Sequence, residues 1–249
     1  MTSNQMHPLS ADQILRIWEI GQRQHPVDQA LTLLAFACPE QSATQLASLS
    51  VGQRDAALLT LREMTFGTIF NCFVHCPECA EQLEFTLNVT DVRLADSGQL
   101  LNQEYAFVAE GFDIKFRLPN SWDLAAIANC HNPEAGKAIL LQRCLLQVHH
   151  NGCVISSQEL PPQITTQIAT QMAQVDPQAE MLLDLCCPAC NYEWQILFDI
   201  VSFFWAELNN QAKRLLLEVH QLARHYSWRE ADILSMSAMR RNLYLELIG

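Results

Sequence analysis

Glycine is scarce in this chain, with eight in 249 residues. That leaves little material for the turns that cradle phosphates, and no Gly-x-Gly-x-x-Gly, Gly-Lys-Ser/Thr loop or Gly-x-Ser-x-Gly elbow occurs. His-Glu-x-x-His is missing as well. Positive charge is also short: 15 Lys and Arg stand against 27 Asp and Glu, a formal net charge of −12. Such a balance works against general binding to nucleic-acid phosphates. No run approaches the roughly 18 apolar residues of a membrane span. Residues 1–10 are polar and lack the pattern of a signal peptide. These absences lead us to expect a cytoplasmic protein in a reducing compartment. Charged residues amount to only 17% against 49% hydrophobic, so the chain has enough apolar material for one large or two small folded domains.

Cysteine, by contrast, is plentiful: there are ten. Four stand in two matching stretches, Cys76-Pro77-Glu78-Cys79 and Cys187-Pro188-Ala189-Cys190. Aligned on these cysteines, Leu83, Phe85, Leu87 and Val89 fall opposite Trp194, Ile196, Phe198 and Ile200. Apolar residues at period two mark a strand with one buried face, so the repeat includes both knuckle and strand. Two knuckles supply four thiolates, the ligand set of a closed tetrahedral zinc site. Between them lie residues 80–186, 107 in all, where a zinc ribbon ordinarily has about 15 to 20. Either one split ribbon closes across a large insertion, or two independent Cys-x-x-Cys units exist. The matching flanks favour a single shared Zn2+ with a structural role, held by Cys76, Cys79, Cys187 and Cys190. A thioredoxin-like redox pair is the competing chemistry, but it expects a helix opening on the motif, and strands follow both motifs here. Four thiolates with one Zn2+ add −2, taking −12 to −14. His75, beside Cys76, and Cys186, beside Cys187, are the possible substitutes among the ligands. Cys38, Cys72, Cys130, Cys144 and Cys153 read as buried free thiols.

The surrounding pattern reads as α+β, mainly helical. Residues 1–66 form an N-terminal three-helix layer: Ser10 and Gln13 spell a capping box, Pro26 opens a second helix, and Ser50 with Gln53 caps a third that stops at Gly67. Residues 67–117 plus 178–200 make the split zinc-ribbon β module, with a hairpin around Glu110-Gly111 and a polar loop over 90–103. Residues 118–177 read as a helical insertion in which His149-His150 form an exposed helix end. Residues 201–249 form a C-terminal helical region: a long amphipathic helix, a short one opened by a capping box at Ser227 and Glu230, and a last one capped by Ser237. With four cysteines the metal has no open position for hydrolysis, so no catalytic residue and no further cofactor is expected.

The order of parts resembles a known family. Thr65-Phe66-Gly67, the two knuckles and the Arg117-Leu118-Pro119 step are joined by an ending that runs Glu218-Val219-His220, Tyr226-Ser227-Trp228-Arg229-Glu230, Ile233-Leu234 and Tyr244-Leu245-Glu246-Leu247-Ile248. Together these resemble the T-even-type phage baseplate hub assembly proteins and their relatives in contractile, phage tail-like injection systems. The resemblance implies a non-enzymatic assembly factor (a chaperone) or minor baseplate component whose partners are other tail proteins. The knuckles depart from the usual pattern in carrying Ala80 and Asn191 where glycine follows the second cysteine. Ala tolerates a left-handed backbone poorly, so the first knuckle is expected to be distorted. Two further readings stay open: a zinc-ribbon nucleic-acid regulator using the C-terminal helices, and a Cys-x-x-Cys redox enzyme.

Overall fold

Side-chain caps and glycine stops set the helix boundaries in the first third of the chain. The computed structural model describes residues 6–94 and 103–248. Helix α1, Ala11–Gly21, opens on the reciprocal Ser10–Gln13 capping box. Helix α2, Pro26–Ala37, has proline in its first turn, where no N–H is needed. A short helix α3, Ala43–Ser48, has its own box from Ser42 and Gln45, so the N-terminal region holds four helices and not the three expected. Helix α4, Val51–Phe66, begins at the Ser50–Gln53 box and ends at Gly67, whose φ of +93° suits glycine. Strands β1, Ile69–His75, and β2, Gln82–Asn88, pair antiparallel around the first knuckle. The residues read as a loop from 90 begin instead inside a one-turn helix α5, Val89–Val92, capped by Asn88; the rest of that loop, 95–102, lies outside the described residues.

Strands β3, Glu104–Ala109, and β4, Phe112–Arg117, form the expected hairpin, with Glu110 and Gly111 both at positive φ. Helices α6, Ser121–Ile127, and α7, Pro133–Cys144, follow. There the helical reading of 118–177 fails. The chain turns at Leu145 into strand β5, Leu145–His150, which pairs with β4 and with a short β6, Cys153–Val154. His149 and His150 therefore lie on a strand, with His150 stacked 4.2 Å from Phe112. Helix α8, Pro162–Val175, covers this four-stranded sheet through Ile164 and Ile168, which are buried with Phe112, Ile114 and Val148. Strands β7, Leu182–Cys186, and β8, Glu193–Leu197, form the second knuckle hairpin. Helix α9, Ile200–Tyr226, helix α10, Glu230–Leu234, and helix α11, Ala238–Leu247, complete the chain. The capping box expected at Ser227 does not form: Ser227 has φ +56° and α10 has no side-chain cap, while Ser237 caps α11 as expected.

The elements fall into two units. The first comprises Met1–Gln41, Thr60–Gly67 and Ile200–Gly249, the second Ser42–Leu59 and Thr68–Asp199. In the first, α1 and α2 pack on α9, burying Ile17, Leu33, Leu34, Phe204 and Leu208. Within it Arg62, 1% exposed, donates from Nε and Nη2 to the Glu207 carboxylate. The second unit holds the three small sheets and both knuckles. There Asp176 accepts the Gly52 N–H at 3.0 Å and so occupies the N-terminus of α4. A Cβ at residue 52 would stand 2.0 Å from Asp176 Oδ1, so glycine there permits the approach.

Candidate metal centre

Each knuckle is the turn of a two-stranded hairpin. In the first, the Cys76 N–H donates to the Glu81 carbonyl at 2.9 Å and the Ala80 N–H to the Cys76 carbonyl at 2.9 Å. In the second, Cys187 N–H donates to Tyr192 O at 2.9 Å and Asn191 N–H to Cys187 O at 2.8 Å. Ala80 and Asn191 both adopt the left-handed region, with φ +62° and +58°. The first knuckle is thus not distorted: it keeps the same hydrogen bonds, with alanine held in a conformation that costs about 1–2 kcal/mol.

The two turns bring their cysteines together. All four Sγ atoms of Cys76, Cys79, Cys187 and Cys190 lie within 4.8 Å of one another, and the pairs across the knuckles, Cys76–Cys190 and Cys79–Cys187, stand 3.7 and 3.6 Å apart. Four sulfurs at about 2.3 Å from one ion in a tetrahedron would be about 3.8 Å apart. The set fits such an ion, and among the described residues no other group of three or more potential ligands is gathered in this way. Cys76 and Cys187 are buried, at 2% and 0% exposure, while Cys79 and Cys190 face solvent. His75 and Cys186, the possible substitutes, stay outside: His75 is exposed with its ring against Phe73, and the Cys186 Sγ lies 4.0 Å from the Cys187 carbonyl.

Electrostatics set the four thiols apart. Desolvation pushes the Cys187 thiol up, but backbone N–H groups of Cys190 and Ala189 and the neighbouring thiols more than offset it, lowering its pKa to about 7. The Tyr192 backbone favours the Cys190 thiolate, yet partial desolvation by the neighbouring knuckle and the competing sulfurs push that thiol up to about 12. One thiolate forms readily and the next is opposed by its neighbours. A bound dication removes that opposition, so loading would release protons.

Two supports around the hairpins had not been assigned from sequence. Phe70 of β1 packs edge-on to Phe198, just past β8, with ring centroids 5.4 Å apart. Asp123, fully buried, binds Arg117 and Arg143 and caps α6 together with Asn120. Burial alone would raise the Asp123 carboxyl, but the two guanidinium groups and the Asn120 N–H hold it below the usual carboxylate range. The Asn120-x-x-Asp123 spacing was the available signal for this knot.

Neither the comparison with curated proteins nor that with solved structures found a match. The family model described as T4 bacteriophage base plate protein matches residues 13–205. That span takes in both knuckles and the Arg117-Leu118-Pro119 step. It stops short of the ending at 218–248 on which the sequence resemblance leaned most. No helix among the described residues is long and apolar enough to cross a membrane. With the match covering well over half of its 249 residues, the chain belongs to the T4 bacteriophage base plate protein family.

Proposed function

We propose that the protein is a non-enzymatic assembly factor or minor structural component of the baseplate of a contractile phage tail or phage tail-like injection system. It acts through contacts with other baseplate proteins, in the cytoplasm where tails are built. One structural zinc, held by Cys76, Cys79, Cys187 and Cys190, ties together two hairpins far apart in sequence. The observation that carries this reading is the family match over 13–205; the four-sulfur cluster carries the zinc. The nucleic-acid alternative finds opposition in the charge distribution. The unit holding the knuckles has six Lys and Arg against seventeen Asp and Glu, whereas the other has nine against ten, so the ribbon would meet phosphates with repulsion. The redox alternative is disfavoured because a strand, and not a helix, follows each Cys-x-x-Cys.

The test is to express the remaining baseplate proteins of the same particle with and without this chain. A baseplate subassembly that forms only in its presence is the expected result. Its presence in finished tails, read by mass spectrometry, would make it a component, and its absence an assembly factor. Normal tails assembled without the chain would overturn the proposal.

A further inference from the structure

The four clustered sulfurs differ in what can reach them. Cys79 and Cys190, the second cysteine of each knuckle, face solvent, whereas Cys76 and Cys187 are buried. Each exposed sulfur has a buried one of the opposite knuckle beside it: Cys79 lies 3.6 Å from Cys187, and Cys190 lies 3.7 Å from Cys76. These two contacts use every sulfur once, and both cross from one hairpin to the other. An accessible thiolate with a sheltered cysteine beside it is the arrangement in which an oxidant reaches the outer sulfur and the inner one resolves the product. The thiolate is both the reactive form and the form that ligates zinc. Forming a disulfide of about 2.05 Å brings the sulfurs of each pair about 1.6 Å closer.

We propose that a peroxide converts the cluster from a metal link into a covalent one, with disulfides Cys79–Cys187 and Cys76–Cys190 replacing the ion. The proposal rests on the shared zinc inferred above. In each pair the exposed thiolate attacks the peroxide: an S–O bond forms, the O–O bond breaks, and the hydroxide released takes a proton from solvent. The buried thiolate then attacks that sulfenic sulfur. An S–S bond forms, the S–O bond breaks, and the second hydroxide takes a second proton. Two thiolates have thus given two electrons to one peroxide, which ends as two waters. Two peroxides consume all four thiolates and leave the ion without ligands, so it is released. Each sulfur reacts once, which makes this a change of state and not turnover. The disulfides join residues 108 and 114 apart in sequence, so each closes a long loop and holds the two hairpins together as the metal did. Bonds within a knuckle would leave the halves free of each other.

The experiment exposes the full chain to hydrogen peroxide, beside a sample given a chelator and a reductant. Zinc is measured first: a chain that purifies without it removes the shared-metal reading and this proposal together, whereas a loaded chain tests this proposal alone. Peroxide is expected to release the zinc and to join tryptic peptides 63–93 and 144–213 under non-reducing conditions, with Cys79 bonded to Cys187 and Cys76 to Cys190 by mass spectrometry. Cys72→Ser and Cys186→Ser, which remove neighbouring thiols from the same peptides, leave both bonds in place. The oxidised chain keeps the melting transition of the knuckle unit, and the chelated, reduced chain loses it. Zinc retained under peroxide, disulfides formed within the knuckles, or an oxidised chain that melts like the chelated one would each overturn the proposal.

Discussion

The hairpin carrying Cys76 and the hairpin carrying Cys187 correspond residue for residue at an offset of 111 positions. Asn71 faces Thr86 in one and Leu182 faces Leu197 in the other; His75 faces Gln82, and Cys186 faces Glu193. The turn hydrogen bonds repeat, as do the left-handed residues at 80 and 191, and a helix starts at the same place after each, Val89 and Ile200. What differs is the surroundings. Phe70 and Cys72 on the inner face of the first hairpin are buried, whereas Leu183, Leu185 and Ile196 of the second are only half-buried. The shared geometry therefore resides in the turn and its thiols, and the burial around each half contributes separately.

The sharpest test of that equivalence is to remove one buried cysteine from each half. With the single zinc proposed above, Cys76→Ser and Cys187→Ser should each bring the metal content to almost none and melt the knuckle unit, because structural zinc contributes ~10–16 kcal/mol of apparent binding energy to folding. His75→Ala and Cys186→Ser should keep the full metal content. Metal analysis beside thermal melts checks this, and half a metal left in either cysteine variant would mean two separate sites. A smaller and unequal pair of effects should come from the aligned positions 70 and 181. Phe70→Ala removes a fully buried ring and should cost about 3–5 kcal/mol in urea unfolding. Met181→Ala, at a half-buried position, should cost about 1 kcal/mol. Equal losses would erase the asymmetry of burial.

Much of this was legible because it is local. The Ser10 and Ser50 boxes, the Glu110-Gly111 turn and the knuckle repeat are each decided within a few residues. Helix α3 carried the same Ser-x-x-Gln signal at Ser42 but no apolar stripe behind it to draw notice. Ser227 shows the converse: the letters of a capping box are present, yet stacking of Tyr226 on Trp228, 4.4 Å apart, fixes the backbone otherwise. Leu140, Leu141 and Cys144 form a helical stripe in α7 that Leu145 would continue, so nothing local marks the change to strand β5 at Leu145. Its state is set by pairing with β4, some thirty residues earlier in the chain. The Asp176 carboxylate at the start of α4 joins residues 124 apart, and no local pattern announces it. Of the site, the four cysteines were visible by spacing, whereas which two are buried depends on contacts made by the hairpins.

Ala80 and Asn191 offer a finer comparison. Ala80→Gly should stabilise the protein by about 1 kcal/mol, since it removes the Cβ penalty of a left-handed backbone. Asn191→Gly should change stability by only a few tenths, because Asn already tolerates that region. Equal gains in urea unfolding would show that the first knuckle bears no special strain.

The smallest expected effect concerns the residues just before the two following helices, Asn88 in one half and Asp199 in the other. Asp55, near Asp199, has its carboxyl pKa raised to about 6: burial is the main cause, the Arg54 guanidinium opposes it, and the charges of Asp199 and Asp176 add to it. A carboxyl pKa higher in the folded state than in the unfolded chain means that folding favours the protonated form. The stability linked to this proton is complete below pH about 4 and is lost as the pH rises through 6. Asp199→Asn makes the second half carry the neutral residue of the first and lowers the Asp55 pKa. Variant and parent should then coincide near pH 4 and separate above pH 6, the variant being more stable by a few tenths of a kcal/mol. Urea midpoints across that range measure it. Curves that stay parallel would mean that the charge of Asp199 does not reach Asp55, and that its burial beside Arg54 sets its titration without help from the second hairpin.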